Sequence, residues 1–149
     1  MAYFDWNPVH DTGITGIDHD HHQLVDALNG IHDLIAGEAP HAAISDALAD
    51  FHTAAAAHFA LEERILEEER HPDFEARRRT HYRLLDEVRD IMDAYEAGEF
   101  GPGERLPATL RQWLSESIEM DSRLFARMNE AGLHRYGLNR AGPAVRKAR

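Results

Sequence analysis

Four long stretches of the sequence place their apolar residues at the alternating three- and four-residue spacing of an amphipathic helix. They cover about residues 17–36, 40–70, 73–97 and 104–130, and glycine or proline marks each junction. Few segments alternate with the two-residue period of a β-strand. Because short loops join the stretches, the pattern predicts an all-α fold, an up-down-up-down antiparallel four-helix bundle.

The segments at the two ends of the chain differ from these helices. Residues 1–16 contain aromatic residues, a proline and two glycines, and we expect an irregular N-terminal arm. Residues 17–130 would then form the bundle. Residues 131–149 carry five basic residues and no acidic residue, so they are expected to form a basic C-terminal tail. This tail could fray or fold back on the acidic bundle.

Charge and composition exclude several classes of protein. The chain has 27 acidic and 16 basic residues and a net charge of −11, which argues against nucleic acid as a partner. Cysteine is absent, so disulfides, thiolate metal sites and cysteine nucleophiles are excluded. No apolar run approaches the roughly 18 residues of a membrane span. Since no export signal is visible either, a cytoplasmic location is expected.

One zone of the predicted helix seams is polar rather than apolar. It contains His21, His58, Glu62, Arg77, His81 and Ser117, with Asp121 one turn beyond. In an antiparallel bundle these positions fall at one level near one end. An unpaired buried polar group costs about 1–3 kcal/mol, so a cluster needs a compensating partner. A metal ion is such a partner, and imidazole with carboxylate, without sulfur, suits iron, manganese or zinc.

The same residues lie in motifs that resemble those of bacteriohemerythrins, and the resemblance covers about residues 4–125. Residues 16–18 are Gly-Ile-Asp, and with His21 they match the start of the family's first helix. Residues 58–63 are His-Phe-Ala-Leu-Glu-Glu and match its His-Phe-x-x-Glu-Glu motif. Further matches at the family's spacing are Pro72, His81, Trp113 and Leu114.

The resemblance implies a non-haem iron centre inside the bundle. In family terms His21 and His58 are iron ligands, and Glu62 bridges two irons. His81 falls on a ligand of the second iron. The implied ligand of the iron is dioxygen, bound reversibly for storage, delivery or sensing.

The sequence departs from the family pattern around the second iron. The family has histidine at the positions of Arg77 and Ser117. Its second bridging carboxylate aligns with Ser122, although Asp121 is adjacent. We therefore predict a metal site drawn from His21, His58, Glu62, His81 and Asp121.

Three arrangements of this site are open. One metal ion could bind His21, His58 and Glu62, completed by His81 or Asp121. Two ions could remain, with water or another side chain filling the gaps. Alternatively the bundle holds no metal, and Arg77 supplies the missing positive charge, for example in a pair with Glu62.

The predicted function is that of a hemerythrin-like non-haem iron protein that binds or senses dioxygen or another small gas. The cofactor would be one or two iron ions, with manganese and zinc as alternatives. A non-haem iron enzyme with oxidase, peroxide or nitric oxide chemistry is the alternative class. The sequence names no catalytic acid or base for such an enzyme.

Overall fold

The computed structural model describes residues 3–132, and four α-helices account for most of them. A short 3-10 helix precedes them in the N-terminal arm, and no strand occurs within this part of the chain. The elements are the 3-10 helix Pro8–His10 and the helices α1 Thr15–Ala36, α2 His41–Glu68, α3 Phe74–Glu96 and α4 Arg105–Glu130. The predicted all-α four-helix bundle is therefore confirmed.

Each helix packs against two others. Helix α1 contacts α2 and α4, and α3 also contacts α2 and α4. The short loops 37–40, 69–73 and 97–104 reverse the chain between them, so successive helices run antiparallel. This topology brings the start of α1, the end of α2, the start of α3 and the second half of α4 to one end of the bundle.

Hydrogen bonds attach the N-terminal arm to the bundle. The Asp18 carboxylate accepts from the Thr12 amide at 2.9 Å and from the Gly13 amide at 3.1 Å, so the start of α1 is fixed. Asn29 exchanges two hydrogen bonds with the backbone of Phe4. The Ser122 hydroxyl donates to the carbonyl of His10 at 2.8 Å. The arm therefore contacts α1 and α4 at the polar end of the bundle, and it also contacts the second half of α1 through Asn29.

The core consists of two apolar clusters. The larger one fills most of the bundle and includes Phe51, Phe59 and Trp113. The smaller one closes the end of the bundle and contains Ile14, Ile17, Ile65, Leu66, Leu124 and Phe125. The polar residues lie between the two clusters. Along α1, for example, His21 stands between Ile17 of the smaller cluster and Leu24 of the larger one.

The structure describes most of the predicted N-terminal arm but little of the predicted C-terminal tail. Helix α1 begins at Thr15, two residues before the start expected from the apolar pattern. Of the predicted basic tail, residues 133–149 lie outside the described residues. Within residues 3–132, no helix is both long and apolar enough to cross a membrane.

Candidate metal centre

Four buried side chains converge where the two apolar clusters meet. They are His21 from α1, His58 and Glu62 from α2, and Asp121 from α4. One nitrogen or oxygen atom from each lies within 4.8 Å of the other three. None of the four side chains is more than 1% exposed. The bundle therefore brings together four of the five residues predicted from the sequence.

The atoms that face each other are imidazole nitrogens and carboxylate oxygens. His58 Nε2 lies 2.6 Å from Glu62 Oε2 and 3.4 Å from Asp121 Oδ2. His21 Nε2 lies 3.3 Å from Asp121 Oδ2 and 3.9 Å from Glu62 Oε2. Two nitrogens and two oxygens thus surround one small volume.

The hydrogen bonding of Glu62 shows that this group fits a cation. Its carboxylate is fully buried, and neither oxygen has a hydrogen bond of acceptable geometry within the described chain. The 2.6 Å contact with His58 is close in distance but not directed as a hydrogen bond. Burying a carboxylate without directed hydrogen bonds is costly, even beside imidazole groups. A metal ion would meet this need, and a nitrogen and oxygen donor set without sulfur suits non-haem iron.

Two further carboxylates lie within hydrogen-bond distance of the Nδ1 atoms of His58 and His81. Asp20 Oδ2 lies 3.3 Å from His58 Nδ1, and Glu63 Oε2 lies 2.7 Å from His81 Nδ1. A carboxylate at Nδ1 favours the tautomer whose Nε2 carries a free electron pair, which a metal requires. Neither residue was predicted from the sequence. Their signal was adjacency, because Asp20 precedes His21 and Glu63 follows Glu62.

His81, the fifth predicted residue, lies on the opposite side of Glu62. Its Nε2 is 3.0 Å from Glu62 Oε1, whereas the four-residue group uses Oε2. Its ring stacks on Phe59, with centroids 4.1 Å apart and an angle of 6° between the planes. The two oxygens of Glu62 therefore face different histidines.

Arg77 occupies the corresponding position on the far side of Asp121. Its Nη2 lies 3.1 Å from Asp121 Oδ1 and donates to the carbonyl of Met120 at 3.3 Å. The pair with Glu62 considered from the sequence is not the one formed. Asp121 rather than Ser122 faces the centre, and the Ser122 hydroxyl donates instead to the carbonyl of His10 in the N-terminal arm.

The carboxylates change the proton affinity of the buried groups. Burial alone would lower the pKa of His58, but Glu62, Asp121 and Asp20 outweigh it and hold that pKa well above its usual range. Burial also opposes the charged form of His81, yet Glu62 and Glu63 raise its pKa. Burial would raise the pKa of the Asp121 carboxyl, but hydrogen bonds from His21 and His58 lower it far below its usual range.

A four-helix bundle with a buried histidine and carboxylate centre defines a class of bundle metalloproteins. A sequence profile described as the hemerythrin HHE cation binding domain matches residues 12–128, which is most of the chain. The chain belongs to the hemerythrin HHE cation-binding family.

Individual relatives agree with this assignment. The bacteriohemerythrin of Pseudomonas aeruginosa strain LESB58 is 31% identical over 121 residues, covering 81% of this chain and 78% of the relative. The bacteriohemerythrin of Stenotrophomonas maltophilia strain R551-3 is 27% identical over 136 residues, covering 91% and 88%. A crystal structure of a leucine-to-alanine hemerythrin variant superposes with a TM-score of 0.74. It is 23% identical, covers 85% of this chain and 97% of that one, and supports the fold.

The predicted resemblance and the predicted class are thus confirmed, and the chain is a hemerythrin-like non-haem iron-binding protein. The identity of the gas, the number of ions and the cytoplasmic location stay predictions. The same holds for the ligand set and for the boundaries of the arm and the tail.

Proposed function

We propose that this protein holds one iron ion at His21, His58, Glu62 and Asp121 and binds dioxygen or another small gas there. The observation that carries the proposal is the convergence of these four buried side chains around the Glu62 carboxylate, whose oxygens have no directed hydrogen bond within residues 3–132. Two histidines with one or two carboxylates are sufficient for a non-haem iron that keeps open positions.

The two oxygens of each carboxylate, Glu62 and Asp121, face different groups, and this arrangement favours one ion over two. Glu62 and Asp121 each direct one oxygen toward His21 and His58. On the far side the remaining oxygens meet His81 and Arg77. Arg77 is permanently charged, so a second cation beside Asp121 would be repelled. Arg77 and Ser117 also provide none of the histidine ligands that the family uses there.

The surroundings of the centre suit a small apolar ligand. When bound, iron would supply the electron donation that reversible dioxygen binding requires. The apolar clusters on both sides of the polar residues exclude bulk water from the centre. On the side of the arm, the Trp6 ring lies 6.0 Å from the ring of His21. Phe59 covers the opposite side through its stacking on His81.

Absorption spectroscopy of the iron-loaded chain tests the gas-binding proposal. Spectra are compared under nitrogen, dioxygen and nitric oxide, with Glu62→Gln as the test variant and exposed Glu67→Gln on the same helix as the control. We expect a spectral change that reverses on degassing in the native and control proteins and is lost in Glu62→Gln. Iron-loaded protein that responds to neither gas would contradict the proposal. Steady consumption of dioxygen with a reductant would instead favour the enzyme alternative.

A further inference from the structure

A surface cavity of about 330 Å³ opens beside the metal centre, between the start of α3 and the second half of α4. Its walls are formed by Asp73, Arg77, Met120, Arg123, Leu124 and Arg127. Arg77 belongs both to this cavity and to the ion pair with Asp121. The side chain of Arg77 therefore separates the cavity from the candidate iron ligand Asp121. The cavity opens to solvent rather than into the core.

The charge of this cavity is unusual for so acidic a chain. Three arginines line it together with a single acidic residue, whereas the whole chain carries a net charge of −11. Arg123 pairs with Glu119 at 3.3 Å, but both side chains are mostly exposed, so that pair is weak. Arg127 makes no ion pair with any residue between positions 3 and 132.

The hydrogen bonding of Arg77 points to a missing acceptor. The side chain is only 11% exposed, and its Nη2 is used by Asp121 and Met120. Its Nε is buried and has no partner in the described part of the chain. A buried donor without an acceptor costs about 1–3 kcal/mol, so the guanidinium of Arg77 is incompletely satisfied at the point where the side chain lines the cavity.

We infer that the cavity lined by Arg77, Arg123 and Arg127 binds a small free oxyanion, of the size and charge of phosphate. Guanidinium groups are planar forks of donors that match the oxygens of such anions, and three of them approach from two helices. The site is separate from the iron centre, and the inference does not rest on gas binding.

Calorimetric titration of the iron-loaded full chain with inorganic phosphate tests this site. The test variant is Arg123→Gln with Arg127→Gln, because both side chains line the cavity and their one ion pair within residues 3–132 is the exposed pair of Arg123 with Glu119. Arg77 stays unchanged because it holds Asp121. We expect phosphate affinity to fall by about tenfold or more, which corresponds to losing charge-assisted hydrogen bonds.

A matched control separates a site from general electrostatics. Arg83→Gln with Arg89→Gln removes the same charge from exposed positions of α3 and should leave phosphate affinity unchanged. Phosphate should also slow the reaction of Arg123 and Arg127 with phenylglyoxal, followed by mass spectrometry, but not that of Arg83 and Arg89. Equal affinity in the test variant, an equal loss in the control, or equal protection of all four arginines would overturn the inference.

Discussion

The guanidinium of Arg77 lies 3.1 Å from Asp121 Oδ1, while the other oxygen of the same carboxylate lies 3.3 Å from His21. One buried carboxylate is thus shared between a permanent cation and the candidate iron ligands. Its partner Glu62 is shared in the same sense between His58 and His81. The centre is therefore asymmetric, with one side arranged for a metal and the other side closed by this chain's own groups.

Replacing Arg77 by methionine should destabilise the metal-free protein. Arg77→Met removes one partner of a nearly buried ion pair and leaves Asp121 with less compensation. Breaking such a pair costs about 3 kcal/mol. Urea denaturation of the metal-free chain should show a loss of that order, and the iron-loaded chain a smaller loss, because the metal would also neutralise Asp121.

The control for this variant is Arg83→Met, which removes an exposed pair with Glu87 on the same helix. Exposed pairs contribute about 0–1 kcal/mol, so this change should be nearly neutral. An Arg77→Met protein as stable as Arg83→Met would show that the Arg77–Asp121 pair is unimportant for the fold.

The two supporting carboxylates should differ in their effect on iron. Asp20→Asn weakens the acceptor behind His58, which belongs to the four-residue group. Such second-layer changes lower metal affinity by about 10–100-fold. Glu63→Gln makes the same change behind His81, which lies outside that group, so iron affinity should change by less. Competition with a chelator of known affinity measures both variants.

The two variants serve as controls for each other, since each loses one charge next to one buried histidine. If Glu63→Gln reduced iron affinity as strongly as Asp20→Asn, His81 would contribute to iron binding as much as His58 does. The ion would then have to lie nearer to His81 than the four-residue group implies.

The metal-free protein should lose stability as the pH rises above neutrality. The pKa values of His58 and His81 are raised above 6.5 in the folded state, so the folded chain holds protons that the unfolded chain releases. This contribution is fully present below pH 6.5 and is lost as the pH rises through the folded values. The slope is at most about 1.4 kcal/mol per pH unit for each histidine.

Urea denaturation at about pH 6 and about pH 8 measures this effect. The free energy of unfolding should be lower at the higher pH in the metal-free chain, and the slope should be shallower in His58→Gln. Iron affinity should change in the opposite direction, because the metal binds neutral imidazole. A metal-free chain whose stability rises over this interval would contradict the assigned carboxylate contacts.

Much of the architecture was accessible from the sequence for a simple reason. Helical periodicity marks which positions face the core, so a polar residue on the seam is visible as an interruption. His21, His58, Glu62 and His81 were found in this way, and all are at most 2% exposed in the bundle. The antiparallel topology then placed them at one end of the bundle without any knowledge of distances.

Helical periodicity could not predict which residues beside the seam face the centre, or which carboxylate pairs with Arg77. Neighbouring positions on a helix point about 100° apart, so whether Asp121 or Ser122 faces the centre depends on the rotation of α4. That rotation follows from packing, and the choice between Glu62 and Asp121 as the partner of Arg77 follows from it too. Asp20 and Glu63 were missed because they sit beside the seam and are partly exposed, at 27% and 23%.

The iron content of the purified full chain distinguishes a single-ion centre from a two-ion or metal-free bundle. Mass spectrometric metal analysis of protein from iron-replete cells should give about one iron per chain. Arg77→His with Ser117→His, which restores the family's histidines, should move the value toward about two. Native protein with two irons per chain, or with none, would contradict the account of a single-ion centre closed on one side by Arg77.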